Sequence, residues 1–178
     1  IDNRVAIREN FNHALEQFGY PQLPDTQIDS MIGTPLPEMF EKVLPEKDKC
    51  LVPQLVDIYR KRYHDTSHKG VVILDDAISI LERLREGGFK LAVATTKAND
   101  EVNFLLQKIG LNKYFDLISG FREGMKNKPN PDIVQYAMKE LVVESDRTVM
   151  IGDTPVDVMT ARNARIYVII VMSSISLG

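Results

Sequence analysis

The sequence predicts an α/β protein, in which a mostly parallel sheet is covered by helices and is preceded by an all-helical part. From Val71 onward, short apolar runs alternate with amphipathic segments of helical period. The apolar runs lack the polar alternation of half-exposed strands, which favours a parallel sheet buried on both faces. Before Val71 the apolar residues follow helical spacing only. We therefore predict a helical region over residues 1–70 and an α/β region over residues 71–178.

The helical region contains four predicted helices. The first runs from Asn3 to Phe18, because apolar residues recur there at helical spacing and Gly19 follows. A short helix begins at Asp25 and another begins at Pro35, since both residue types favour helix N-termini. The fourth and longest helix reaches into the early sixties. The first third of the chain is therefore expected to hold no strand.

The α/β region contains four predicted strands and four predicted helices. The strands cover residues 89–94, 117–119, 148–151 and 167–171. The helices cover residues 76–86, 99–109, 132–141 and 155–163. Gly88 and Gly110 lie just after two of these helices, where a left-handed glycine commonly ends a helix.

Composition excludes several classes of function. The hydrophobic content of 44% suits a folded core, and the net charge of −3, with both signs intermixed, gives no footprint for nucleic acid or an anionic membrane. No apolar run approaches the length of about 20 residues that spans a bilayer. The single cysteine, Cys50, excludes an intramolecular disulfide. We therefore expect a cytoplasmic protein.

An apolar strand leads directly into the sequence GDTPVD at residues 152–157, which carries two carboxylates. Asp153 falls at the carboxyl end of the strand, where open α/β sheets bind their ligands. Asp157 follows one helical turn later, so both side chains can face one small volume and hold a hard cation such as Mg²⁺. The structural alternative makes Asp153 the helix N-cap and Asp157 a complement to the helix dipole. This segment alone supports both interpretations equally.

Thr95 and Thr96 follow the apolar run that ends at Ala94 and precede a predicted helix. A hydroxyl group and two backbone N–H groups at such a place bind phosphate oxygens well. For an isolated threonine, however, capping the following helix is the better supported role.

Lys128 stands directly before Pro129 in the sequence KPNPD. The prolines restrict the backbone, which aims the ammonium group as a fixed point charge. The alternative is an ordinary surface lysine, which is the commonest state of this residue type.

In their order along the chain, these three elements resemble the second, third and fourth motifs of the haloacid dehalogenase-like (HAD-like) phosphohydrolases. Within that superfamily the sequence is most similar to the phosphoglycolate phosphatases. The resemblance covers nearly the whole chain. It implies that residues 1–70 form an inserted helical cap. It also implies that residues 71–178 form a Rossmann-like core of three α/β/α layers.

The resemblance also implies roles for the motif residues. Thr95 would bind the transferring phosphoryl group, and Lys128 would steady both that group and the nucleophile. We also expect Thr96 to bind the substrate, although relatives usually carry Asn at its place. Asp153 would bind Mg²⁺, and Asp157 would support the metal site.

One motif of the family does not occur in the sequence. The family's nucleophile lies in an Asp-x-Asp-Gly-Thr motif at the end of its first strand, and residues 1–178 do not contain it. Ile1-Asp2 resembles the pair that ordinarily follows this motif, so we expect the motif to precede Ile1 in the polypeptide. In the family that strand lies between the strands equivalent to residues 89–94 and 148–151. Without it, each unpaired buried backbone group on those neighbours would cost about 1–3 kcal/mol.

The resemblance implies a Mg²⁺-dependent phosphatase that hydrolyses a small phosphomonoester, such as phosphoglycolate, through a phosphoaspartate. A β-phosphoglucomutase-type phosphosugar mutase and a non-catalytic binding or regulatory protein on the same fold remain as alternatives. A dehalogenase fits less well, because Asp153 and Asp157 indicate a metal that dehalogenation does not use. The expected partner is a small phosphorylated metabolite, with no nucleic acid and no membrane. Nothing in the sequence sets the oligomeric state.

Overall fold

The computed structural model describes residues 1–171, which divide into two compact units. The first unit is Ile1–Arg83 together with Phe104–Gly110. The second is Leu84–Asn103 together with the chain from Leu111 onward. The division into domains near residue 70 stays a prediction.

The first unit is built from helices. They are α1 (Arg4–Glu16), α2 (Asp25–Asp29), α3 (Leu36–Val43), α4 (Val52–Thr66) and most of α5 (Ala77–Glu86), with a 3₁₀ helix at Glu46–Leu51. Aromatic and aliphatic side chains of α1, α3 and α4 form its core, in which the rings of Phe11 and Phe40 stack with centroids 4.2 Å apart. This packing fixes the helices, since burial of large apolar groups is the main favourable contribution to folding.

The apolar run at residues 71–74 does not form a strand. Val72 instead makes an isolated antiparallel bridge with Asp2. The backbone N–H of Asp2 donates to the carbonyl of Val72 at 2.7 Å, and the reverse bond measures 2.8 Å. The first regular strand therefore comes later than the change in sequence character at Val71.

The second unit contains two parallel strand pairs. Strand β1 (Ala92–Ala98) pairs with β2 (Leu117–Phe121), and β3 (Val149–Gly152) pairs with β4 (Tyr167–Ile170). The helices of this unit are α7 (Asp132–Leu141), α8 (Pro155–Ala164) and the first half of α6 (Asn99–Lys108), whose second half belongs to the first unit. Two 3₁₀ helices lie at Asn112–Tyr114 and Ser145–Arg147. These mixed helices and parallel strands confirm the predicted α/β class.

The predicted strand over residues 89–94 lies three residues later than expected and is longer. Beyond Ala94 the register shifts at a bulge, after which Ala98 pairs with Phe121. At the other end Phe89 is exposed, directly after Gly88 with its positive φ of 76°. The strand thus continues through this irregular pairing, past the point where the apolar pattern ends.

Both strand pairs rest on one hydrophobic cluster of the second unit. Met150 of β3 packs there with Ile133 and Val134 of α7, and Ala94 of β1 lies against the same cluster. Within residues 1–171, the two pairs are separate sheets of two strands each. The strand that the resemblance places between β1 and β3 is not among these residues.

One face of the β3–β4 pair is covered by α8, to which both strands pack. On the opposite face, the side chains of Val149, Ile151, Tyr167 and Ile169 alternate along the two strands and are exposed. In the described part of the chain, none of the helices combines the length and the apolar composition needed to cross a bilayer.

Candidate active site

The chain turns from β3 into α8 within two residues of Gly152. Thr154 is the N-cap of α8, and its hydroxyl accepts a hydrogen bond from the backbone N–H of Asp157 at 3.3 Å. The Asp157 carboxylate accepts in return from the backbone N–H of Thr154 at 3.2 Å, which completes a capping box. The interpretation of Asp153 as the N-cap is therefore wrong, because Thr154 has that role.

Gly152 has no room for a side chain. A Cβ atom at this position would lie 2.4 Å from Cβ and 2.7 Å from Oδ2 of Asp157. The missing side chain lets the carboxylate of Asp157 fold back beneath the end of β3. This close approach explains why glycine is needed at the strand end.

Lys128 and Asp157 form a buried ion pair. The ammonium Nζ of Lys128 donates to Oδ1 of Asp157 at 2.8 Å, and the two side chains are only 9% and 10% exposed. Oδ2 of Asp157 accepts from the Thr154 hydroxyl at 2.7 Å and from the backbone N–H of Asp153 at 3.3 Å. Lys128 is therefore not an ordinary surface lysine, and both oxygens of Asp157 are bound by protein donors.

The charge of Asp157 is stabilised by these contacts. Burial raises the pKa of the carboxyl, but the hydrogen bonds from Lys128 and Thr154 and the charge of Lys128 together hold the pKa below its ordinary value. At neutral pH the carboxylate is consequently ionised, and it balances the ammonium charge of Lys128.

Asp153 fits a divalent cation better than Asp157 does. Its carboxylate is exposed at the carboxyl end of β3, and within residues 1–171 it makes no hydrogen bond or ion pair. Mg²⁺ is commonly bound through one or two carboxylates plus water and substrate phosphate, so one free carboxylate suits it. Asp157 does not fit direct coordination, because its oxygens are taken by Lys128 and Thr154. Its supporting role at the metal stays a prediction.

Histidine, cysteine and carboxylate side chains do not form a group of three or more that could hold a metal ion anywhere in the described chain. The binding of Mg²⁺ by Asp153 stays a prediction.

Thr95 and Thr96 lie in the second half of β1 and line a small pocket together with Lys128. The Thr95 hydroxyl accepts a hydrogen bond from the backbone N–H of Lys97 at 3.3 Å. Helix α6 begins at Asn99, so neither threonine is its N-cap. The remaining residues that line the pocket are Phe121, Met125, Lys126, Asn127 and Ile133. The structure thus brings Thr95, Thr96 and Lys128 to one pocket.

The sequence did not predict two features near the site, the contacts of Asn99 and the capping role of Thr154. The side-chain oxygen of Asn99 accepts from the backbone N–H of Gly120 at 3.1 Å and from Arg122 at 2.9 Å, which joins the end of β1 to the loop that carries Lys128. No local pattern indicates this contact. The capping role of Thr154, in contrast, has a signal, because residues 154–157 have the Thr-x-x-Asp pattern of a capping box.

Comparisons with known proteins agree with this arrangement. Residues 1–171 match the family model described as haloacid dehalogenase-like hydrolase. A pyrophosphatase PpaX from Halalkalibacterium halodurans is 30% identical over 171 residues, covering 96% of this chain and 78% of that protein. A phosphoglycolate phosphatase from Rhodobacter capsulatus is 32% identical over 168 residues, covering 92% and 75%.

A solved structure shares the fold. The haloacid dehalogenase-like hydrolase from Streptococcus pneumoniae superimposes with a TM-score of 0.82 at 23% identity, covering 94% of this chain and 77% of that one. The motif residues at the ends of β1 and β3, the family match and these relatives lead to one conclusion. The chain belongs to the haloacid dehalogenase-like hydrolases and is a phosphatase of that family.

Proposed function

We propose that this phosphatase hydrolyses a small phosphorylated metabolite in a Mg²⁺-dependent reaction that passes through a phosphoaspartate. The observation that carries the proposal is the buried pair of Lys128 and Asp157 beside the pocket of Thr95 and Thr96. Phosphoglycolate and pyrophosphate are the two substrates to test first, because relatives are named for them. The proposed compartment is the cytoplasm, in keeping with the single cysteine.

Each residue of the pocket has a part in this chemistry. The hydroxyl of Thr95 and nearby backbone N–H groups would bind the nonbridging oxygens of the phosphoryl group. Lys128, whose ammonium is fixed by Asp157, would place positive charge where the phosphoryl group meets its nucleophile. Asp153 would hold Mg²⁺, which when bound neutralises phosphoryl charge.

The reaction also needs an attacking carboxylate and a general acid and base. The family resemblance assigns both to the Asp-x-Asp-Gly-Thr motif, which residues 1–178 do not contain. Carboxylate nucleophiles form covalent phosphoryl intermediates of this kind in other enzymes. Water would then hydrolyse the phosphoaspartate and release inorganic phosphate.

The test measures phosphate release by the full-length protein from p-nitrophenyl phosphate, phosphoglycolate and pyrophosphate, with Mg²⁺ and with EDTA. We expect release with Mg²⁺ only, and we expect Asp153→Asn to lower kcat by at least about 100-fold. Asp146→Asn is the matched control, because Asp146 is exposed on the turn before β3. Unchanged turnover in Asp153→Asn refutes the metal assignment.

The same assay separates the two alternatives. A phosphosugar mutase moves phosphate between sugar positions without releasing it, which product analysis on a sugar phosphate detects. Binding of phosphate by the folded protein without turnover of any of the three substrates favours a binding protein on this fold.

A further inference from the structure

The pocket lined by Thr95, Thr96 and Lys128, here called the phosphate pocket, contains two lysines. They differ in whether a carboxylate lies beside the ammonium group. Lys128 and Lys126 both line the pocket, and no carboxylate lines it among the described residues. The charge of Lys128 is balanced by Asp157 at 2.8 Å. Lys126 is exposed, and within residues 1–171 its ammonium makes no hydrogen bond or ion pair. Of the two lysines that line the pocket, Lys126 is therefore the one whose ammonium has no protein partner within residues 1–171.

The backbone of Lys126 is held in place although its side chain is free. Its N–H donates to the carboxylate of Asp132, in the first turn of α7, at 2.9 Å. Just before it, the N–H of Met125 donates to the carbonyl of Arg122 at 3.1 Å, which closes a turn. Arg122 in turn donates to Asn99 and lies over the ring of Tyr136 at 4.5 Å. An ammonium without a protein partner, on a backbone held in place, is suited to binding an anionic ligand.

We propose that Lys126 binds the second anionic group of the substrate, on the leaving-group side of the phosphoryl group bound by Thr95 and Lys128. This inference rests on the proposed phosphatase function and names its substrate class. Such a substrate is a small phosphate compound whose leaving group carries its own carboxylate or phosphate. Lys126 is then a specificity residue, because a compact, mobile ammonium contributes to binding only when the leaving group is charged.

The test compares substrates with charged and uncharged leaving groups. In Lys126→Met, we expect the ratio of kcat/KM for pyrophosphate or phosphoglycolate to kcat/KM for p-nitrophenyl phosphate to fall about 10- to 100-fold, the range for losing a hydrogen bond to a charged group. Lys126→Arg keeps the charge and should restore most of the ratio. Lys139→Met is the matched control, since Lys139 is an exposed lysine at the end of α7 that does not line the pocket.

A binding measurement tests the same inference without turnover. Calorimetry with the full-length protein in EDTA, where we expect no hydrolysis, should show that Lys126→Met weakens binding of pyrophosphate more than binding of inorganic phosphate. If both the substrate ratio and this difference in affinity match those of the wild type, Lys126 is not a specificity residue. If the wild type hydrolyses none of the substrates, the proposed function fails, and the calorimetry still decides the role of Lys126.

Discussion

The ammonium of Lys128 lies 2.8 Å from Oδ1 of Asp157, and both side chains are almost completely buried. The second oxygen of the same carboxylate accepts a hydrogen bond from the hydroxyl of Thr154 at the start of α8. The position of the positive charge in the phosphate pocket therefore depends on the first turn of a helix 29 residues further along the chain. The carboxylate of Asp157 therefore both caps α8 and positions the ammonium of Lys128.

Asp157→Ala should strongly reduce both stability and activity. It leaves the buried ammonium of Lys128 uncompensated and removes half of the capping box, for which we expect a loss of about 3–5 kcal/mol in the free energy of unfolding. Urea denaturation measures this loss. The control is Asp57→Ala, which breaks an exposed pair with Lys61 in α4 and should cost less than about 1 kcal/mol. Equal costs for the two variants would contradict the assigned role of the buried pair.

The contribution of Asp157 to stability should depend on pH. Because folding lowers the pKa of this carboxyl from its ordinary value of 3.8, its contribution is present above that value and is lost as the pH falls through the lower pKa of the folded state. The difference in unfolding free energy between wild type and Asp157→Asn should thus stay constant from neutral pH to about pH 5 and shrink below about pH 4. Denaturation curves at several pH values check this, and a difference that grows in acid would contradict it.

Gly152→Ala should act through Asp157. The new methyl group would lie 2.4 Å from Cβ of Asp157, so the carboxylate must move away from Lys128. Overpacking of this kind costs about 1–3 kcal/mol, and we also expect slower phosphate release. In an Asp157→Gly background the clashing atoms are gone, and the cost of Gly152→Ala should largely disappear. Additive effects of the two substitutions would show that the clash is relieved elsewhere.

The sequence predicted the elements of the second unit well where local signals agree. Helix α7 has its predicted bounds, 132–141, because a proline precedes it and apolar residues line one face. The shift of β1 could not be predicted, since a bulge depends on the partner strand and leaves no apolar pattern. The strand-like run at residues 71–74 lacks a regular neighbouring strand and forms only the bridge to Asp2.

The candidate site shows the same limit. Spacing alone placed Asp153 and Asp157 on one side of a helix start and treated them alike. The structure separates them, because Lys128 binds one carboxylate and leaves the other exposed. The contact that occupies Oδ1 of Asp157 comes from Lys128, which is distant in the sequence. Local sequence patterns therefore do not predict it.

Val142→Gly should stabilise the protein. Val142 ends α7 in the left-handed conformation, with φ 51° and ψ 59°, and its side chain is 84% exposed. A β-branched residue is strained in this conformation and here gains little from burial, whereas glycine adopts it without strain. Part of the gain is offset because glycine makes the unfolded chain more flexible, so we expect a net increase of about 1 kcal/mol in the free energy of unfolding.

The control for this prediction is Gln17→Gly at the end of α1. Gln17 has φ −62°, an ordinary helical value, so glycine relieves no strain there and should destabilise the protein by about 0.5–1 kcal/mol. Urea denaturation of both variants under the same conditions provides the comparison. If Val142→Gly lowered stability as much as Gln17→Gly does, the left-handed conformation of Val142 would carry no strain.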